Sequence, residues 1–240
     1  FAALDIAETL VMDCDFRSNI VDGHGGAVLY QLQGTPKRAT LLVERCTFVF
    51  NKASGFGERF VWFGCNVRSG GALSTESLNP ESGLGTYSLQ ITDSLFGHND
   101  AGFRGGSIAA RLSNKVLIDN SSISWGTANE GGCVLAEHQR GVRLQGTSLV
   151  NCSAPRGQLI LTISADNRDP DLLLVKSSVI AGGESASAVE RAGGALSNEI
   201  RQNVLCPLGA PADFASSTNR TVQCRRCAPN EFDLGRTVGS

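Results

Sequence analysis

The chain is expected to be all-β, a stack of strand-bearing coils of the parallel β-helix kind. Three observations predict this. A two-part motif recurs six times, period-2 alternation of apolar residues flanks its turns, and helical spacing is absent over any length.

The first half of the motif aligns "LVMDCDFRSN" (10–19), "LVERCTFVFN" (42–51), "QITDSLFGHN" (90–99), "LIDNSSISWG" (117–126), "RLQGTSLVNC" (143–152) and "LVKSSVIAGG" (174–183). Each places a small or thiol residue first: Cys14, Cys46, Ser94, Ser121, Thr147, Ser177. Two positions later stands a hydrophobe: Phe16, Phe48, Phe96, Ile123, Leu149, Val179. Three further on comes Asn19, Asn51 or Asn99, replaced by Gly126, Cys152 and Gly182 in the later copies. The second half reads "GGAV" (25–28), "GGAL" (70–73), "GGSI" (105–108), "GGCV" (131–134), a worn "RGQL" (156–159) and "GGAL" (193–196). Base spacing is near 25 residues, with insertions accounting for the longer intervals.

A strand-rich repeat of this length cannot bury its inner face alone, and stacking one repeat per coil solves the problem. Equivalent strands then lie parallel, about 4.8 Å apart, and equivalent side chains form ladders. The Phe16 column is expected to point inward and supply most of the burial, with the Asn19–Asn51–Asn99 amides satisfying backbone groups at a turn. The Gly-Gly step suits a tight corner. Cys14 and Cys46 share the inner face in neighbouring coils, close enough for a disulfide or for a pair of buried thiols. The preceding column, Asp13, Arg45, Asp93, Asn120, Gly146 and Lys176, is expected to face solvent, its first three members alternating in sign.

Composition narrows the class. The chain has 240 residues, 28 of them glycine, with 6% aromatics and a formal charge of −2. No Lys/Arg run and no long apolar stretch occur, so nucleic acid and direct membrane insertion are not expected. Eight cysteines and three sequons, at Asn120, Asn151 and Asn219, favour a secretory-route glycoprotein with disulfides. The opening "FAALDIAETL" has neither an initiator Met nor a signal-peptide pattern, and a processed form or an excised piece with further coils before it is expected.

The paired motifs resemble the repeats of the polymorphic outer membrane protein (Pmp) family, known from chlamydial surface autotransporters and related to repeats in large surface proteins of algae and other protists. The resemblance rests on Phe16/Asn19 with Gly25–Val28, Phe48/Asn51 with Gly70–Leu73, and Phe96/Asn99 with Gly105–Ile108, with weaker copies over roughly 117–196. It implies a right-handed parallel β-helix, a pectin-lyase-like solenoid, with a surface or adhesive role and no shared catalytic residues. "CRRCAPNEFDLG" (224–235) is similar to the start of the ephrin-receptor-like cysteine-rich repeat through Cys224, Cys227 and Phe232, although Asn230 stands where glycine is usual.

Other features were weighed as chemistry and as scaffold. Cys206, Cys224 and Cys227 are read as a disulfide cluster, since no histidine lies near enough in sequence to complete a zinc site. Asp13, Arg45 and Asp93 read as a solvated charge ladder, and Asp166, Asp169 and Asp171 as an acidic loop. His24 and His98 read as exposed residues beside turns. The insertion "KASGFGERFVWFGCNVRS" is either folded back onto the coils or used to bind. Its Phe56, Phe60, Trp62 and Phe63 are the candidate binding residues, and Cys65 is placed to tie it down.

The expected organisation is therefore one parallel β-helix of about six coils over residues 1–200, followed by a cysteine-containing cap or linker over 201–240. The expected function is an extracellular structural or adhesion module of a larger cell-surface or filament protein. It would be non-catalytic and cofactor-free, and bind other segments or subunits of a surface assembly or glycans. The alternative is a glycan-active β-helix enzyme, recognised by a groove with at least two carboxylates within catalytic reach.

Overall fold

A computed structural model describes residues 1–4, 8–32, 39–54, 69–77, 87–111, 115–137 and 141–163. Beyond these it describes the strand backbones at 173–176, 179–181, 187–192, 204–205, 212–213 and 221–224. The described residues are all-β, with no helix among them, and their sheets are parallel but for two pairings.

The chain visits four sheets in turn and returns one strand further on. Sheet I is β2 (Glu8–Met12), β6 (Ala39–Glu44), β10 (Tyr87–Thr92), β14 (Lys115–Asp119), β17 (Gly141–Gln145) and β20 (Leu173–Lys176). Sheet II is β3 (Asp15–Arg17), β7 (Thr47–Val49), β11 (Leu95–Gly97), β15 (Ser122–Ser124), β18 (Ser148–Val150), β21 (Val179–Ala181) and β23 (Val204–Leu205). Sheet III is β4 (Ile20–Val21), β8 (Lys52–Ala53) and β12 (Asp100–Ala101), prolonged by single bridges to Thr127 and Ser153. Sheet IV runs β1 (Ala2–Leu4), β5 (Val28–Leu32), β9 (Leu73–Ser77), β13 (Ile108–Arg111), β16 (Val134–Glu137), β19 (Ile160–Ile163) and β22 (Ser187–Ala192). It closes with β25 (Thr221–Cys224) and β24 (Ala212–Asp213), both antiparallel to their neighbours. Strands from 201–240 thus extend the same sheets as the repeats.

Three backbone corners define each rung. The first is the outward column Asp13, Arg45, Asp93, Asn120 and Gly146, at φ 53°, 49°, 49°, 47° and 59°. The residue after it turns inward and carries a ladder: the N–H of Cys46 donates to Ser94 Oγ at 3.1 Å and that of Ser94 to Ser121 Oγ at 3.1 Å. Ser94 and Ser121 hydroxyls donate in turn to the carbonyls of Thr92 and Asp119, both at 2.8 Å. This explains why the position takes only small side chains bearing O or S.

Cys14 and Cys46 keep the ladder role as thiols. The Cys14 N–H lies 3.4 Å from Cys46 Sγ, and burial pushes the Cys46 thiol pKa up. Of the two states left open by sequence, the structure holds the unbridged one.

The second corner is Ser18, Phe50, His98, Trp125 and Asn151, at φ 53°, 58°, 52°, 56° and 54°. The asparagine ladder follows it as expected. The Asn19 side-chain amide and N–H both donate to Asn51 Oδ1, and those of Asn51 to Asn99 Oδ1, all within 3.1 Å. At the third corner Gly131 has φ 65°, and a Cβ on Gly106 would collide with the Gly132 carbonyl of the next rung. The first glycine of the pair thus supplies the turn and the second the close approach.

Between corners lies the core. Phe16, Phe48 and Phe96 stack at 4.8 and 4.6 Å, and Phe48, Phe96, Ile123 and Leu149 are fully buried. Each such side chain contributes roughly 1.5–3 kcal/mol.

Two registers differ from expectation by one residue, and a third by seven: Ile160 pairs with Val189, so the last copy's second half ends at Val189 and not at the Leu196 of "GGAL" (193–196). Leu149 pairs with Ile180, not Val179, and Gln145 with Lys176, which moves Lys176 out of the corner column. The worn copy starts at Gly157, not Arg156: Val134 pairs with Ile160, and Gly157 has the positive φ, 53°, of the first glycine. Gln158 therefore stands in the place of the second.

Candidate functional site

Sheet II presents its outer face between the first two corners, and that face has two distinct margins. Along the first corner runs a shallow groove of about 530 Å³ lined by Arg45, Asp93, Leu95, Asn120, Ser122 and Ser148, among others. It follows four successive rungs. Arg45 is held by Asp13, at 2.7 and 3.0 Å, and by Glu44. The hydrogen bond with Arg45 lowers the Asp13 pKa, and the same contact raises that of Arg45. Asp93 and Asn120 are exposed, and Asp93 makes no ion pair among the described residues.

Along the second corner stands an aromatic ridge. Phe50 and His98 stack at 5.0 Å and His98 and Trp125 at 5.6 Å, with interplanar angles of 20° and 2°. Phe50 is 58% exposed and Trp125 51%, so the stack lies outside the core. Positive φ is uncommon for any residue with a side chain and unfavourable for bulky ones, yet three consecutive rungs place an aromatic there. Beside the ridge, Lys52 of sheet III pairs with Asp100 at 2.8 Å, which raises the Lys52 pKa.

Sheet IV is organised oppositely. Arg111 bridges Glu76 at 2.6 Å and Glu137 at 3.0 Å, while Arg104 bridges Glu130 at 2.8 Å and Glu137 at 3.3 Å. Every one of these side chains is less than 20% exposed. His24 lies near this lattice, half-buried rather than exposed as expected. Burial lowers its pKa, with Glu76 opposing and Arg111 assisting.

No protein-family model, curated protein or solved structure matches this chain.

The sequence-predicted residues divide sharply. Asn120 and Asn151 are exposed at positive-φ corners, although Cys152 within the second sequon is buried. Phe56, Phe60, Trp62, Phe63, Cys65, Asn219, Cys206, Cys227 and the acidic loop at 166–171 lie outside the described residues, and of Cys224 only the backbone is described. The one disulfide among the described residues joins Cys133 and Cys152, Cα atoms 5.4 Å apart, a pair not anticipated. Cys133 occupies the position after the glycine pair and Cys152 the asparagine column, so the bridge crosses the interior between two columns. The aromatic ridge was missed as well. Its signal was readable as one column, the residue before each Asn or its substitute.

Among the described residues no group of three His, Cys, Asp or Glu side chains is placed to hold a metal, and no helix is long and apolar enough to cross a membrane.

Proposed function

We propose that this chain is a non-catalytic structural and adhesion module of a larger extracellular surface or filament protein. In this reading it is a right-handed parallel β-helix of Pmp-type repeats, delivered by the secretory route, whose contact face is the outside of sheet II. The observation that carries the proposal is the exposed Phe50–His98–Trp125 stack. It keeps three rings at positions where they add nothing to the core, two of them, Phe50 and Trp125, in a backbone conformation unfavourable for bulky residues.

The Cys133–Cys152 bridge supports an oxidising compartment, and the exposed Asn120 and Asn151 are accessible to glycosylation. The four-sheet circuit with matched ladders supports the β-helix reading and its capacity to continue through further coils. Among the described residues that line the groove Asp93 is the one carboxylate, and Asp13 and Glu44 beside it are paired to Arg45, whereas glycosidic hydrolysis uses two carboxyl groups facing the substrate; this supports contact rather than cleavage.

The test is retention of chain-coated beads on the surface of the source cells under flow. Phe50→Ser/His98→Ser/Trp125→Ser should cut retention about ten-fold, a loss near 1.4 kcal/mol per contact, with unchanged far-ultraviolet circular dichroism. Equal retention of wild type and variant would remove sheet II as the contact face.

A further inference from the structure

We propose that the corner groove of sheet II binds an extended, neutral glycan laid along the stack, one sugar unit to each rung. This rests on the reading of sheet II as the contact face and adds the ligand class and its orientation.

The groove is periodic. Its lining comes from four successive rungs at equivalent positions: Arg45, Asp93, Asn120 and Gly146 at the corner, and Leu95, Ser122 and Ser148 beside it. Rungs in a parallel sheet are about 4.8 Å apart, close to the length of one unit in an extended β-linked pyranose chain. A polymer with that repeat stays in step with the rungs, whereas a coiled glycan loses register after one unit.

The lining chemistry suits hydroxyl groups. Asp93 offers an acceptor pair, Asn120 an amide with donor and acceptor, and Ser122 and Ser148 lie beside them. Leu95, 43% exposed, gives an apolar patch for the carbon-bound face of a sugar ring. The Phe50–His98–Trp125 ridge lies at the opposite margin of sheet II and is not part of the lining.

Charge excludes the polyanions. The Arg45 guanidinium is already engaged by Asp13 and Glu44. With Asp93 the corner carries three carboxylates against one guanidinium, so a uronate or sulfate chain meets net repulsion. No comparable groove serves a protein strand here, because the backbone groups of the interior rungs are already paired with their neighbours.

An N-glycan on Asn120 would fill the groove, so the measurement uses the full chain with Asn120 unmodified, verified by intact mass. Titration calorimetry against mannohexaose and cellohexaose, with their di- to pentasaccharides, is compared with maltohexaose and polygalacturonate. The expected result is saturable binding of at least one β-1,4-linked neutral series, strengthening with length up to four units and flat beyond. Maltohexaose should bind more weakly and polygalacturonate not at all. Asp93→Gly/Asn120→Gly, which puts at both corners the residue that Gly146 already supplies at φ 59°, should weaken binding about ten- to hundred-fold, the loss of one or two polar contacts, while leaving the melting temperature within about 2 °C. Preferential binding of polygalacturonate, no length dependence, or no binding of either neutral series overturns the proposal. In those cases bead retention that still depends on the ridge would leave sheet II as a contact face for a protein partner.

Discussion

The outer faces of sheets II and IV are built by the same rungs and put to opposite uses. On sheet IV the outward residues are sealed: Leu135 and Leu161 are fully buried, and Glu76, Arg111 and Glu137 pair across neighbouring strands in a lattice that Arg104 and Glu130, before the glycine corner, extend. On sheet II the outward residues stay open, with a polar groove at one margin and an aromatic ridge at the other. A repeat constrains the inward ladders of every rung alike, because each must pack on the next. Outward positions are free to diverge, and the divergence leaves one face sealed and the other open.

The largest effect is expected on the sealed face. Removing Arg111 leaves Glu76 buried without its cation and takes from Glu137 the closer of its two, and Arg111→Ala should destabilise the chain by about 3–5 kcal/mol. Urea unfolding measures this. Replacing all three by apolar residues of similar volume, Glu76→Leu/Arg111→Met/Glu137→Leu, should recover most of the loss. A single-variant effect below about 1 kcal/mol would be that of a solvent-screened surface pair and would erase the contrast between the faces.

The Cys133–Cys152 disulfide physically joins the two regions, since Cys133 leads into β16 of sheet IV and Cys152 follows β18 of sheet II. It closes a span of 19 residues, and its loss should cost about 3 kcal/mol in the chain-entropy model. Cys133→Ser/Cys152→Ser is the suitable variant, because serine at 152 retains an acceptor for the Gly126 N–H that Cys152 Sγ now receives at 3.2 Å. Insensitivity of the wild-type unfolding midpoint to reductant would show that the two faces are held together by the ladders alone.

A smaller, pH-dependent effect belongs to His24. Its pKa in the folded chain lies below the ordinary 6.5 because burial disfavours the cation, while Glu76 raises it and Arg111 lowers it further. As pH falls through 6.5 the unfolded chain takes up the proton first, so stability declines from there down to the lower folded value and is fully present above 6.5. His24→Asn should flatten the dependence of the melting temperature on pH between about 7.5 and 5. A slope unchanged by the substitution would assign that dependence to another group.

These regions were unequally legible in the sequence. Inward columns could be read because packing repeats them: Phe16–Phe48–Phe96–Ile123–Leu149, the asparagines and the small residues all fall where alignment put them. The slip to Ile180 arose where two adjacent serines and two adjacent β-branched residues made neighbouring registers equally good. The slip at Gly157 arose because one glycine of the pair is gone, and only the backbone φ identifies which. The two margins of sheet II were hidden for another reason. Phe50, His98 and Trp125 share a column, but the bulk of Phe50 and Trp125 argues against the positive φ they adopt, and the groove exists only once four rungs are stacked.

The ridge should have the smallest effect on stability. Holding a bulky residue at φ near +55° costs on the order of 1 kcal/mol or more, and each ring stack returns roughly 0.5–1.5 kcal/mol. The two nearly cancel at Trp125, which has one stacking partner, His98. Trp125→Gly relieves the strain and forfeits the stack, while glycine adds freedom to the unfolded chain. The net change should stay within about 1 kcal/mol in either direction, although bead retention falls. Phe50→Gly, also at the end of the stack, should behave alike. A destabilisation of about 3 kcal/mol or more, the scale of an aromatic lost from a packed core, would make the ridge part of the scaffold. It would then be the exposed counterpart of the Phe16–Phe48–Phe96 stack, and the contrast between sheets II and IV would rest on the corner groove alone.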